Sequence, residues 1–497
     1  MRKFGVSLLL SLMITSLFTT SGASGFLIYE HGAAATARGG AVVATIGDPT
    51  AIFYNPAGMG KLEGTNFYQG GTIIVARSDF DSNDSRIDQH TQMHIPVLPT
   101  LFLTHRIVPD LSIGGGIYAP FGLATDWPKE WEGRYIATES RLQTIYFNVS
   151  VAYHPHPLFS ISVGFDYIRA EAKLERAIDF RAVGSPSLET GIIYRNQYPD
   201  GYSSLEAKGF GYGVNFGLQF GITEDFHVGL SYKQPIGSIR LHGEADFDNI
   251  PQRSNVYPNE FAGDGTFLTN GLSLINLFRN TEATTHIQLP PILHAGVATT
   301  IVKNLTLEVD LQWTGWSTVD EVRIKFARPV GGLPTFVPNG GTNPINGLPS
   351  GDLSGPPQGV RGNGSDAGLQ TIPFGWEDSY TFRTGLEYKI NFDESHLPLI
   401  EEKTLALRLG WLYDWTPVRN SYLSPSLPDA NRIGISAGLG LKFDFLGLEN
   451  TLDLAYMIVL FEDVQKENQI GADAGGTANG EYQTLAHVIS IGYNIEF

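Results

Sequence analysis

The chain has 497 residues, with 33 Lys and Arg against 51 Asp and Glu, and its formal net charge is −18. This acidic balance argues against nucleic acid as a partner, because phosphate binding needs clustered cations. The chain has no Cys, which excludes disulfides, zinc–thiolate sites and cysteine nucleophiles.

The first residues have the pattern of an export signal. Arg2 and Lys3 are positive, residues 6–18 are apolar except for Ser and Thr, and residues 21–23 are small. This pattern predicts a signal peptide over residues 1–23, since the apolar run is shorter than the ~20 residues of a transmembrane helix. An exported chain with 57 Gly and 57 aromatic residues, and with no later apolar run of spanning length, is typical of an outer-membrane β-barrel.

Residues 24–65 lack the two-residue alternation of a strand. Within them, Asn55-Pro56-Ala57 indicates a helix start, with Asn as the N-cap and Pro at the first helical position. About forty residues without a core of their own must rest on another surface, and a barrel lumen offers one. We therefore predict an N-terminal helical hatch that plugs the lumen, with a periplasmic tail as the alternative.

Residues 66–497 show the alternation of a transmembrane barrel. In the last segment, Ile489, Ile491, Tyr493, Ile495 and Phe497 share one face, and small or polar residues share the other. The same alternation predicts fourteen strands, near 66–78, 97–108, 111–124, 141–154, 158–174, 206–222, 226–247, 284–302, 305–328, 378–390, 403–415, 432–446, 450–462 and 485–497.

Short and long connections alternate between these strands, and an even count returns both chain ends to the periplasm. The predicted fold is an all-β, fourteen-stranded antiparallel transmembrane β-barrel in the outer membrane. We expect contacts with outer-membrane lipid and lipopolysaccharide, recognition of the Phe497 strand by the barrel-assembly machinery, and a monomer. All seven Trp lie toward the external strand ends, which predicts interfacial aromatic belts.

The third predicted strand contains residues that weaken pairing. Pro120 cannot donate to a ladder, and Gly116 and Gly122 favour a bulge, so a kink is expected over Gly116, Ala119, Pro120, Phe121 and Gly122. An open edge in lipid must be screened by protein or line a cavity. The alternative is that Pro120 only ends the strand at its external rim.

Two long external connections have different compositions. Residues 248–283 contain apolar residues between 272 and 278 that predict a short amphipathic helix, which is either a hydrophobic landing site or packing on the rim. Residues 329–377 are rich in Gly, Pro and Asn, which predicts an irregular loop.

Five blocks in this order resemble the outer-membrane long-chain fatty-acid transporter family (FadL type), which includes channels for aromatic hydrocarbons. The resemblance covers nearly the whole mature chain. The blocks are Ser24-Gly25-Phe26, Asn55-Pro56-Ala57, Pro120-Phe121-Gly122-Leu123 with Gly133-Arg134-Tyr135, Trp313-Thr314-Gly315-Trp316-Ser317, and Asp414-Trp415-Thr416-Pro417-Val418.

The resemblance implies passive uptake of hydrophobic molecules through a fourteen-stranded barrel with a hatch. Phe26, Asn55, Pro56 and Ala57 would belong to the gating hatch, and the substrate would leave sideways at the strand-3 kink. No enzyme activity, cofactor or metal is implied.

The substrate class stays open between long-chain fatty acids and aromatic hydrocarbons. Arg383 and Arg408 have lumen-facing parity and are candidates for a fatty-acid carboxylate, although Glu387 and Asp414 could instead neutralise them. Glu171, where an Arg is expected in fatty-acid members, would favour a neutral hydrocarbon.

Three other functions are possible for an outer-membrane barrel. An outer-membrane lipase needs a catalytic Ser and His on one face, whereas Ser490 and His487 have opposite parity. A general porin is disfavoured by the plug, and a purely structural barrel is the third alternative.

Overall fold

The computed structural model describes residues 25–83, 89–93, 95–178, 200–249, 279–327, 369–392, 400–445, 447–467 and 478–497. Their strands form one closed antiparallel sheet with fourteen barrel strands, as predicted. Among these residues no helix has the length and apolar character needed to cross a membrane. The predicted signal peptide and the predicted amphipathic helix at 272–278 lie outside the described residues.

Several barrel strands consist of two segments separated by an interruption. The bounds in chain order are β1 Thr65–Ser82, β2 Gln89–His90 and Val97–Val108, β3 Leu111–Tyr118 and Gly122–Asp126, β4 Glu139–His156, β5 Phe159–Ile178, β6 Gly201–Thr223, β7 Phe226–Asp248, β8 Thr281–Ile287 and Ile292–Val302, β9 Leu305–Thr314 and Glu321–Phe326, β10 Leu369–Pro373 and Ser379–Phe392, β11 Ile400–Asp414, β12 Arg432–Phe445, β13 Leu448–Phe461 and Val464–Lys466, and β14 Gly480–Glu496.

The barrel closes between its first and last strands. The β1–β14 ladder runs from Asn66 opposite Glu496 to Ser82 opposite Gly480. In β14, Ile489 and Ile491 are about half exposed and face the lipid, whereas Ser490 is buried. The sequence alternation thus corresponds to lipid-facing and lumen-facing sides, as expected for a transmembrane barrel.

The N-terminal segment, defined here as residues 25–64, lies inside the lumen. It contains two short α-helices, α1 (Ala33–Ala37) and α2 (Ala51–Tyr54), and a 3₁₀ helix at Pro56–Lys61. Helix α1 packs against β12 and β13. Small residues allow this approach, since a Cβ at Gly438 would lie 2.4 Å from the Cβ of Ala37.

The wall is interrupted across three neighbouring strands. β8 breaks at residues 288–291, β9 at 315–320 and β10 at 374–378, and in register these breaks lie side by side. The prediction of continuous strands over 284–302 and 305–328 is therefore wrong. Pro290 and Pro291 have no N–H to donate to a ladder, which explains the first break.

The Gly- and Pro-rich connection also ends earlier than predicted. Residues 369–373 form a strand paired with residues 321–325, so 329–377 is not loop throughout. This short strand segment extends the wall on the external side of the interruption.

The tryptophans divide into two groups. Trp313, Trp411 and Trp415 are partly exposed near the external ends of strands, as an interfacial belt requires. The prediction is wrong for the other four, which are buried within the barrel: Trp127, Trp131, Trp316 and Trp376.

Candidate functional site

The kink in β3 separates this strand from β2. The β2–β3 ladder ends at Leu101 opposite Ile117, while β3 resumes pairing with β4 at Gly122 opposite Gln143. Between these points the Thr144 N–H donates to the Phe121 carbonyl at 3.0 Å, so the β4 side stays bonded. The break therefore opens only the edge of β3 that would face β2.

The N-terminal segment is bonded to this open edge. The Ile28 N–H donates to the Pro120 carbonyl at 2.8 Å, and the Gly122 N–H donates to the Phe26 carbonyl at 3.0 Å. Leu27 and Phe121 form an antiparallel bridge between these two bonds. The backbone of residues 26–28 thus takes the place that β2 has vacated, which satisfies groups that would otherwise be unpaired at membrane depth.

The same contact depends on close approach at Gly122. A Cβ on Gly122 would lie 2.7 Å from the Cδ1 atom of Ile28, nearer than ordinary contacts allow. Ala119, Pro120 and Phe121 are buried along this edge, whereas the assignment of Gly116 to the kink is wrong, because Gly116 is paired with Phe102 of β2 and Asn148 of β4.

Phe26 lies at the centre of an aromatic cluster next to the kink. Its ring centroid lies 4.7 Å from that of Trp316, 5.7 Å from that of Trp376 and 5.9 Å from that of Phe121. Trp316 and Trp376 stand in the interruptions of β9 and β10. The two interrupted parts of the wall therefore meet at one buried apolar cluster inside the barrel.

The lipid side of the β2–β3 break is apolar. Met93, Ile95 and Val97 precede or begin the second segment of β2, and each is about 60 % exposed. Apolar side chains with this exposure on a barrel wall face the hydrocarbon of the bilayer.

Asn55 has the predicted capping role. Its Oδ1 atom accepts from the Ala57 N–H at 3.2 Å, and Pro56 begins the 3₁₀ helix. Its Nδ2 atom donates to the carbonyls of Val43 at 2.8 Å and Leu218 at 3.0 Å. Asn55 therefore ties the helix start both to the segment and to the wall at β6.

Two buried acids on β9 hold the segment from the opposite side. Glu308 Oε2 forms a 2.9 Å ion pair with Arg38, and Glu308 Oε1 accepts from the Ala44 N–H at 2.6 Å. Asp310 Oδ2 accepts from the N–H groups of Val42 at 2.9 Å and Val43 at 3.2 Å. Both acids alternate with Leu307, Val309 and Leu311 in the sequence, and this alternation was the available signal for a lumen-facing position.

The two predicted carboxylate ligands have different surroundings. Arg408 is bonded to Glu387 at 2.7 Å and Asp453 at 2.5 Å, so both sides of its guanidinium are neutralised. Arg383 forms no ion pair within the described part of the chain. Its Nη1 atom donates to the Gly39 carbonyl at 3.1 Å, and its guanidinium lies 4.2 Å from the Tyr29 ring centroid.

Sequence reasoning missed a second cation in the lumen. The Lys233 Nζ atom on β7 lies 3.5 Å from the centroid of the Phe53 ring and forms no ion pair with the residues described here. Tyr29 and Phe53 have ring centroids 5.3 Å apart. Arg383 and Lys233 therefore flank one aromatic pair, and the lumen-facing parity of Lys233 in β7 was the available signal.

His31 lies beside the same rings. Its ring centroid is 4.3 Å from that of Phe53, and neither imidazole nitrogen has a hydrogen-bond partner within the described ranges. A buried imidazole without partners is costly, so this part of the lumen suits a bound polar group.

Glu171 does not face this region. It lies on the outer surface of β5, paired with Arg169 at 2.5 Å and with Lys208 at 3.4 Å. Its charge therefore carries no information about the lumen, and the expected link between Glu171 and a neutral substrate is wrong.

Asp429, in the external connection between β11 and β12, contacts the start of the described chain. Its Oδ2 atom accepts from the Gly25 N–H at 3.1 Å and from the Thr416 hydroxyl at 2.8 Å. Burial raises the pKa of Asp429 to about 6.

The described residues contain no group of three or more His, Asp or Glu side chains suited to a metal ion. Ser490 is buried on the lumen side and bonds Thr72 at 2.8 Å, whereas His487 bonds Tyr456 on the outer surface. These two side chains therefore cannot form a catalytic pair.

Comparison with known proteins places this architecture in a family. The model of the outer membrane protein transport family (OMPP1/FadL/TodX) matches residues 14–497. The chain belongs to this family. It is thus an outer-membrane channel for hydrophobic compounds, and the family consists of transport channels.

Individual relatives in the OMPP1/FadL/TodX family are distant. The chain is 23% identical to the long-chain fatty acid transport protein of Escherichia coli O6:H1, covering 88% of this chain and 87% of the relative. It is also 23% identical to an outer membrane protein of Neisseria meningitidis serogroup B, covering 96% and 95%.

Two solved structures of the family share the fold. A Pseudomonas aeruginosa FadL homologue has a TM-score of 0.68 at 18% identity and covers 95% of this chain and 100% of its own. The Pseudomonas putida toluene transporter TodX has a TM-score of 0.61 at 15% identity and covers 96% and 99%.

Proposed function

We propose that this protein is a passive channel for long-chain fatty acids and not an enzyme. The observation that carries the proposal is a pair of lumen cations, the buried Arg383 and the partly buried Lys233, neither of which forms an ion pair with the described residues. Asp310 lies opposite Arg383 in register and Asp166 is near Lys233, but a lumen cation without a direct ion pair can still gain from one, and a substrate carboxylate would form it.

The surroundings of these cations suit an amphipathic ligand. Tyr29 and Phe53 lie between them, and the apolar cluster around Phe26 and Trp316 lies toward the external end. A carboxylate bound at Arg383 or at Lys233 would leave the alkyl chain against aromatic rings. Keeping each CH₂ out of water is worth about 0.8 kcal/mol. Arg408 is left out of this proposal because two carboxylates already neutralise it.

The N-terminal segment would act as the gate of this channel. Phe26 and Ile28 cover the open edge of β3, while Asn55 ties the helix that starts at Pro56 and Ala57 to the wall. Release of residues 26–28 would uncover the break between β2 and β3. The substrate would then leave sideways past the apolar residues Met93, Ile95 and Val97, without crossing water and without an energy source.

Uptake of aromatic hydrocarbons is the second candidate. It is favoured by the aromatic composition of the cluster at Phe26, Phe121, Trp316 and Trp376, and by the resemblance to the toluene transporter TodX in fold. A neutral hydrocarbon would use this cluster without needing Arg383 or Lys233.

The deciding experiment is the binding of radiolabelled palmitate and of toluene to purified, detergent-folded protein. We expect saturable palmitate binding that is lost in R383Q and K233Q. R77Q is the matched control, because Arg77 lies on the outer surface at β1. Toluene binding without palmitate binding would overturn the fatty-acid proposal, and palmitate binding unchanged in both variants would remove these cations from it.

A further inference from the structure

The outer surface of β7, β8 and β9 carries a concave group of cations, separate from the lumen. A cavity of about 460 Å³ there is lined by side chains that include Arg240, Glu282, Thr284, His286, Arg323 and Lys325. We call it the outer groove. It lies on the other side of the wall from Arg383 and Lys233, so it does not depend on which molecule the channel takes.

Strand register brings these cations together. His286 of β8 lies opposite Arg240 of β7, and Thr284 lies opposite Lys325 of β9. Alternate residues of the same strands, such as Leu241 and Ile324, are buried on the inner side. The polar side chains of the outer groove therefore all project from the outer surface.

The outer groove has a surplus of positive charge. Arg323 is paired with Glu321, but Arg240 and Lys325 have no ion pair within the described part of the chain. Glu282 is the carboxylate that lines the cavity. Clustered like charges repel one another, and a bound anion removes that repulsion. In a chain with a net charge of −18, such a cluster is a local exception.

The outer groove begins where the lipid-facing surface ends. Phe210 of β6, directly opposite Arg240, is 60 % exposed. The next pair on the membrane side is Tyr212 opposite Ile236, and both side chains are exposed. Aromatic side chains at this position mark the membrane interface. The cations therefore stand at the level of the lipid headgroups of the outer leaflet.

We propose that the outer groove binds the phosphate groups of a phosphorylated glycolipid of the outer leaflet. Arg240 and Lys325 contact the phosphate oxygens, with the planar guanidinium forming paired hydrogen bonds. Thr284 and His286 line the groove between them, and Glu282 accepts from sugar hydroxyls. The acyl chains lie against Phe210, Tyr212 and Ile236.

The test uses the purified protein in mild detergent and native mass spectrometry. It is titrated separately with a bisphosphorylated lipid A, with the same lipid after dephosphorylation, and with inorganic phosphate. We expect the bisphosphorylated lipid to bind and the dephosphorylated lipid to bind weakly. The variant R240Q/K325Q should lose roughly tenfold in affinity for each cation removed.

Two further variants make the result specific. The control R77Q/R141Q removes two outer-surface cations on β1 and β4 and should bind like the parent. R240K/K325R keeps both charges and should retain most of the binding, which separates loss of charge from misfolding. Equal lipid binding by R240Q/K325Q and the parent overturns the proposal. So does inorganic phosphate that binds as tightly as the glycolipid, because the site would then recognise free phosphate.

Discussion

The barrel wall is interrupted in two regions, and each is screened in a different way. At β3 the free edge is bonded by the backbone of residues 26–28, which belong to a separate segment inside the lumen. Across β8, β9 and β10 the gap is filled by side chains of the wall itself, chiefly Leu289, Trp316 and Trp376. The N-terminal segment can move away from the edge of β3 and expose it, whereas the side chains that fill the gap across β8, β9 and β10 belong to the wall and cannot leave it.

The largest loss of stability should follow from removing a side chain that fills the gap across β8, β9 and β10. Trp316→Ala would leave a cavity where a fully buried ring contacts Phe26, Phe121 and Trp376. We expect the free energy of unfolding to fall by about 3–5 kcal/mol, measured by urea unfolding in lipid vesicles. Trp411→Ala is the matched control, since Trp411 is 37 % exposed to lipid. Equal losses in the two variants would contradict a structural role for Trp316.

The docked segment should loosen without loss of the barrel when its anchor on β9 is removed. Glu308→Gln leaves Arg38 as a buried charge without its partner. We expect amide exchange at Val42–Ala44 to accelerate about a hundredfold, which corresponds to about 3 kcal/mol of local stability. Hydrogen–deuterium exchange measures this effect. Asp166→Asn is the control, because Asp166 is a buried lumen acid that bonds the wall residues Tyr118, Asn148 and Asn215. Unchanged exchange at Val42–Ala44 would mean that Glu308 does not hold the segment.

Straightening β3 should affect transport more than stability. In the double variant Pro120→Thr/Gly122→Val, β3 can pair with β2, and the new Cβ at position 122 displaces Ile28. Uptake of labelled palmitate into cells should fall roughly tenfold, equal to about 1.4 kcal/mol on the barrier, while the amount of folded barrel stays the same. Wild-type uptake in this variant would place the exit elsewhere in the wall.

The smallest effect should be a dependence on pH at the external end of the segment. The pKa of Asp429 in the folded protein is about 6, above the ordinary value, so the folded state binds an extra proton between about pH 4 and 6. The Gly25 N–H favours the charged carboxylate, so its hydrogen bond to Asp429 should strengthen as the pH rises through about 6, which is measured as greater protection of the Gly25 amide from exchange. Asp429→Asn should abolish this dependence, and a pH dependence that survives in the variant would assign it to another group.

Strand number and direction could be predicted from sequence because lipid and lumen impose alternation on every strand. The interruptions of the strands could not be predicted, because the alternation of lipid-facing and lumen-facing residues in β9 continues on both sides of residues 315–320. Trp316 was wrongly assigned to the interface for the same reason, because a break turns a side chain inward regardless of its position along the strand.

The two-residue alternation of their strands predicted that Arg383 and Arg408 face the lumen, but it could not show which of them is already neutralised by carboxylates. Their difference depends on Glu387 and Asp453, which only the cross-strand register brings beside Arg408. The contacts of Glu308 and Asp310 likewise depend on how residues 42–44 fold back inside the barrel, which no local pattern encodes.

The enclosed position of the N-terminal segment sets an order of assembly. Its 3₁₀ helix packs on β4, β5 and β6, whereas α1 packs on β11 to β14. No half of the barrel contains both groups of strands. The segment can therefore complete its docking only when β14 pairs with β1 and the barrel closes. We therefore expect this early part of the chain to be the last to be fully enclosed, with pairing of β1 and β14 as the closing step of folding.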